Sequence, residues 1–154
     1  MKDLKLTFVL AVVSLSFTGV AGCGGNPVSV EIKDVCSQPE GTNVAVEGFL
    51  SLPNLMERIS HRQGKSVSVS YTLFLMTKPD ATGESVRALL WGSHEGQPNK
   101  IKPLPEKYTW NDLLVYTDDG KTLGAGQVVK LTGKTQKNDK GGCDINVRKI
   151  EKPK

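Results

Sequence analysis

Histidine and cysteine are scarce in this chain, with two of the first and three of the second among 154 residues. Neither H-E-x-x-H nor C-x-x-C occurs, and His61 and His94 have no second His or Cys at ligand spacing, so no metal and no redox dithiol is expected. G-x-S-x-G and S-x-x-K are missing too, which removes the common serine nucleophile patterns. Three GK[ST] triplets start at Gly64, Gly120 and Gly133, but Ile59, Val115 and Val128 stand where a phosphate loop needs its leading glycine. No cofactor is implied by any of these motifs. Long apolar runs are short as well. The best, Leu6 to Val20, has 15 residues broken by Thr7, Ser14, Ser16, Thr18 and Gly19, below the roughly 20 that a membrane-spanning helix requires. Sustained apolar spacing at three and four residues is lacking throughout, so helix is a minor component.

What is present fits one modest globular domain: 38% hydrophobic, 23% charged, 16 Gly, 8 Pro and a formal net charge of +4. Residues 1–22 read as an export signal, with Lys2 and Lys5 ahead of the apolar stretch. The segment ends in Val20-Ala21-Gly22-Cys23, which resembles the lipobox of bacterial lipoproteins. The resemblance implies cleavage before Cys23 and acylation of its sulfur; two or three chains anchor stably because each buried CH₂ contributes about 0.8 kcal/mol. Gly24 in place of Asp implies the outer membrane, with the domain facing the periplasm. On that reading 23–29, rich in Gly and Pro, is a lipidated tether and 30–154 a single domain. With Cys23 consumed by lipid, Cys36 and Cys143 are left in an oxidising compartment and are expected to pair.

The mature chain alternates. Val44, Val46, Leu50 and Leu52 share one face of a strand that has Gly48 inside it, a bend site. Val67, Val69, Tyr71, Leu73 and Leu75 form a second apolar row, and Val86, Ala88 and Leu90 a third, joined through the turn residues 77–83. Residues 92–112 read as a long loop, followed by a small hairpin around Asp118-Asp119-Gly120, where the carboxylates belong to a turn and not to an acid pair. Residues 127–135 and 143–151 give two further strands. The fold class is all-β. The succession Val44 to Gly48, Leu73 to Trp91, Gly126 to Lys134 and Ile145 to Ile150 resembles the OB-fold, a five-stranded Greek-key barrel, here with a long insertion between strands three and four. A small antiparallel β-sandwich is the alternative.

Strand parity turns Phe74, Met76, Arg87, Leu89 and Trp91 outward, and the resemblance makes Phe74, Arg87 and Trp91 a candidate ligand face, since this barrel surface is where oligonucleotides or oligosaccharides bind. The expected arrangement is that residues 101–116, with Ile101, Leu104, Tyr108, Trp110 and Leu113, fold back over that face. A second candidate surface is basic: Lys130, Lys134, Lys137, Lys140, Arg148 and Lys149 fall within a C-terminal stretch of net charge +5. Together these features predict a lipid-anchored, non-enzymatic binding module of the cell envelope, with the membrane as one partner and an envelope protein or anionic glycan as another. Binding of single-stranded nucleic acid or oligosaccharide is the alternative; the export signal weighs against a nucleic-acid partner.

Overall fold

The structure is a computed structural model that describes residues 25–53, 58–63, 66–93 and 96–154; Cys23 and the 1–22 segment lie outside the described residues. Ten strands are described: β1 (Val28–Ser29), β2 (Asn43–Ser51), β3 (Arg58–Gln63), β4 (Ser66–Met76), β5 (Ser85–Trp91), β6 (Lys100–Ile101), β7 (Leu114–Tyr116), β8 (Thr122–Gly124), β9 (Val128–Lys137) and β10 (Cys143–Glu151). Two 3-10 helices, Ile32–Ser37 and Trp110–Asp112, interrupt them.

Five strands close on themselves. β2 pairs antiparallel with β4, β4 with β5, β5 runs parallel to β10, and β10 and β9 return antiparallel to β2. This circuit, with its single parallel seam, is the OB-type Greek-key barrel. It excludes the two-layer sandwich. β2 takes part on both sides because it bends: residues 43–49 pair with β9, and 49–51 with β4. Gly48 sits at the bend, where a Cβ would stand 2.7 Å from the Met76 carbonyl oxygen and 2.9 Å from Ile32 Cδ1. Only a residue without a side chain permits that approach.

Alternation decides the interior. Val44, Val46 and Leu50 from β2, Leu73 and Leu75 from β4, Val86, Ala88 and Leu90 from β5, Val129 and Leu131 from β9, and Ile145 and Ile150 from β10 form one buried cluster. A register shift between Val147 and Lys149 keeps Val147 and Ile150 both inward. The first 3-10 helix adds Ile32 and Val35 at the end where β10 begins, tied there by the Cys36–Cys143 disulfide. At the end where β10 finishes, the insertion contributes Ile101, Leu104, Leu113, Val115 and Leu123 to the same core. Each such aliphatic side chain contributes about 1.5–3 kcal/mol by leaving water, so the insertion is integral to the domain. Asn99 fastens it: its Oδ1 accepts the Ile150 amide at 2.7 Å while its Nδ2 donates to Asp118 Oδ1 at 3.0 Å.

Several elements differ from the expectation. Val28–Ser29, at the end of the segment read as a tether, pairs in parallel with Val44 and Ala45. β3 forms a hairpin with β4 although Ile59 is the only aliphatic residue in it. The loop 92–112 holds β6, which joins the foreseen β7–β8 hairpin as a small three-stranded sheet.

Candidate ligand groove

The outer face of the barrel is set by register. Phe74 of β4 lies opposite Arg87 of β5, which lies opposite Asp144 of β10, itself opposite Gln136 of β9. The next row runs Thr72, Leu89, Asn146, Lys134. A groove of about 280 Å³ crosses these rows, with Thr72, Arg87 and Leu89 in its floor, Ile59 of β3 on one side, and Lys137, Asp139 and Lys140 on the other. Ile59 is 53% exposed, so the groove has an apolar lip as well as a basic one.

One buried carboxylate organises this floor. Asp144, 3% exposed, meets Arg87 Nε at 3.2 Å and accepts a hydrogen bond from Asn138 Nδ2 at 2.8 Å. Asn138 Oδ1 in turn accepts the amides of Lys140 (3.1 Å) and Gly142 (3.0 Å), which shapes the β9–β10 turn. Gly141 completes that turn at φ 79°, the left-handed region. A charge pair removed from water depends on further hydrogen bonds to its members, and here the Arg87 guanidinium and the Asn138 amide both meet Asp144 Oδ1. The result is a fixed guanidinium in the floor and a fixed loop carrying Lys140 at the rim.

The predicted residues are only partly brought together. Phe74 and Arg87 are neighbours and half-buried; Trp91 lies farther along β5, opposite Ser70, with Lys100 Nζ 5.9 Å from its ring centroid. Met76, expected outside, is 8% exposed. Residues 101–116 do not roof the groove: none of them lines it, because their aliphatic side chains are drawn into the barrel core and Tyr108 and Trp110 stand beside Leu52 and Pro53. The basic set divides. Lys137 and Lys140 flank the groove and Lys134 lies on the same outer face, whereas Lys149 is held by Glu151 at 3.0 Å and Asp118 at 3.3 Å. Lys130 lies opposite Glu47 and Glu151, and Arg148 sits at the β10 irregularity.

Cys36 and Cys143 are bonded, with Cα atoms 5.4 Å apart, and flank a second cavity of about 300 Å³ that shares Gln136, Lys137 and Asn138 with the groove. Asp118 and Asp119 belong to a turn remote from it. Hydrogen bonds from Lys121 and Thr117 lower the Asp119 carboxyl to about 2, and Asn99 and Lys149 lower that of Asp118. Among the described residues no group of three His, Cys, Asp or Glu could hold a metal ion, and no helix is long and apolar enough to cross a membrane. Sequence reading missed Ile59, Asp144 and Asn138. The Asn-Asp-Lys-Gly-Gly composition of 138–142 is a turn signal that could have marked the last of them.

No family model matches the chain, and no curated protein does. Among solved structures it is similar to a small single-stranded DNA-binding protein from Streptomyces coelicolor, with 12% identity over 75% of this chain and 96% of that one and a TM-score of 0.37. Against the expectation that set nucleic acid aside as a partner, that neighbour's own description is of a single-stranded DNA-binding protein.

Proposed function

We propose that the domain is a non-enzymatic binding module and that its groove across β4, β5 and β10 takes a single strand of nucleic acid. The observation that carries this is the Arg87–Asp144 pair in the floor, with Leu89 beside it, Phe74 in register with Arg87, and Lys137 and Lys140 at the rim. Cations meet phosphates, and an apolar or aromatic surface meets base faces, which every base possesses. Within the barrel β4 and β5 are strands two and three, and the β9–β10 turn joins strands four and five, the region through which barrels of this type hold oligonucleotides.

Titrating the full chain with labelled single-stranded DNA at rising salt tests the reading. Each phosphate neutralised adds about 0.7 to the logarithmic salt slope for single strands. The double substitution Lys137→Gln and Lys140→Gln is therefore expected to flatten the slope by about 1.4 and to weaken binding at low salt. A wild-type chain that leaves the DNA free even at low salt overturns the proposal.

A second reading is favoured by Val20-Ala21-Gly22-Cys23. In it Cys23 is acylated, the domain is tethered to the outer membrane facing the periplasm, and the groove serves an envelope protein or an anionic glycan. The two readings are compatible where the bound strand is DNA that has entered the periplasm. Mass spectrometry of the protein from its native host is expected to show acyl chains on Cys23; a free thiol there removes the anchored reading and leaves the DNA titration to judge the groove.

A further inference from the structure

Tyr108 and Trp110 belong to the insertion, and both stay half-buried where its Ile101, Leu104, Leu113 and Val115 are fully buried; Tyr108 packs against the edge of the core. They are held in place. Tyr108 Oη donates to the Pro53 carbonyl at 2.7 Å, and the turn bearing Trp110 is closed by Asp112 Oδ2, which accepts the Thr109 amide at 2.6 Å and the Thr109 hydroxyl at 2.9 Å. The lowered pKa of Asp112 has the same two bonds as its largest causes. With Leu52 and Pro53 the two rings line a depression of about 270 Å³.

Leu52 and Pro53 are also one wall of an adjoining depression of about 290 Å³, whose opposite wall includes Phe74 and Met76. Phe74 is the register neighbour of Arg87 in the groove floor. The surface therefore continues from Arg87 over Phe74 and Pro53 to Trp110. Its character changes on the way. Neither depression is lined by a Lys, Arg, Asp or Glu, whereas the groove beyond Phe74 carries Arg87, Lys137 and Lys140 together with Asp139 and Asp144.

We propose that this uncharged aromatic shelf is a second subsite, in which nucleobases of a strand leaving the groove stack on Phe74 and Trp110. The inference rests on the reading given above, that the groove holds a single strand. Because the shelf meets base faces and no phosphates, it adds affinity only for strands long enough to reach it, and that increment does not depend on salt. The groove supplies the salt dependence.

The test compares Trp110→Ala, Trp110→Phe and the unaltered full chain against oligothymidines of about four and about ten nucleotides, lengths within the range that one such barrel covers. Loss of one stacked base weakens binding roughly 5- to 150-fold. Trp110→Ala is expected to lose this factor on the longer strand only, with an unchanged salt slope, and Trp110→Phe to recover most of it. Equal affinity of wild type and Trp110→Ala for the longer strand, with both still binding, overturns the shelf while leaving the groove intact. Equal losses on both lengths, or a flattened salt slope, also overturn it. If neither strand binds the wild type, the groove reading has failed and takes the shelf with it.

Discussion

Cutting the Cys36–Cys143 link removes a constraint on a loop spanning 107 residues of sequence. In the chain-entropy model, a loop of this size costs the unfolded state about 5 kcal/mol of conformational freedom. The folded state loses something too. The bond fastens the 3-10 helix carrying Ile32 and Val35 to the start of β10, so without it those two buried side chains are held by packing alone. Urea unfolding of the double variant Cys36→Ser, Cys143→Ser, followed by tryptophan fluorescence, reads the effect. With a slope of about 2 kcal/mol/M, the midpoint is expected to fall by about 2 M or more. The slope itself should rise, since an uncrosslinked chain exposes more surface on unfolding. Treating the wild type with reductant should reproduce the variant's curve. A double variant whose midpoint lies within about 0.3 M of wild type would refute the loop argument.

Two further outcomes follow from local geometry. Gly48→Ala places a methyl group 2.7 Å from the Met76 carbonyl oxygen and 2.9 Å from Ile32 Cδ1. Overpacking of this kind costs about 1–3 kcal/mol, whereas Gly120→Ala, which meets nothing within 4 Å, is expected to cost less despite its positive φ; equal midpoints for the two variants would contradict the bend argument. The Asp119 carboxyl, lowered from 3.8 to about 2 by Lys121 and Thr117, titrates below its unfolded counterpart. Its contribution is therefore complete above about pH 4 and lost as the pH falls toward 2. A carbon-detected NMR titration should place the Asp119 midpoint near 2, and a midpoint near the ordinary aspartate value would break the assignment.

The barrel was legible in the sequence because its strands obey a two-residue period and because Val44-x-Val46-x-Gly48 announces a bent strand. Inside and outside followed from parity: Leu73, Leu75, Val86, Ala88 and Leu90 are buried, and Arg87 and Leu89 face the groove. What escaped has physical reasons. β3 is an edge strand held to β4 by backbone pairing, which needs no apolar row, so Arg58–Gln63 carries no periodic signal. The aliphatic residues of the insertion showed that something there is buried but not against what. Ile101, Leu113 and Val115 completed the interior instead of roofing the outer face. Half of the site was visible as well. Arg87 was readable as outward, but its partner Asp144 lies across the parallel β5–β10 seam, a long-range pairing with no local mark in either segment. The cysteine pairing came from counting thiols and compartments, and spacing played no part.

The seam has one more consequence. β10 is the last of the five barrel strands in sequence order and the piece that sits between β9 and β5. While a ribosome is still making it, β5 and β9 each have an unmatched backbone edge, the kind of edge that recruits other chains. The cylinder can therefore shut only after synthesis has passed Cys143, and stalled or clipped chains ending earlier should be the sticky, aggregation-prone form of this protein.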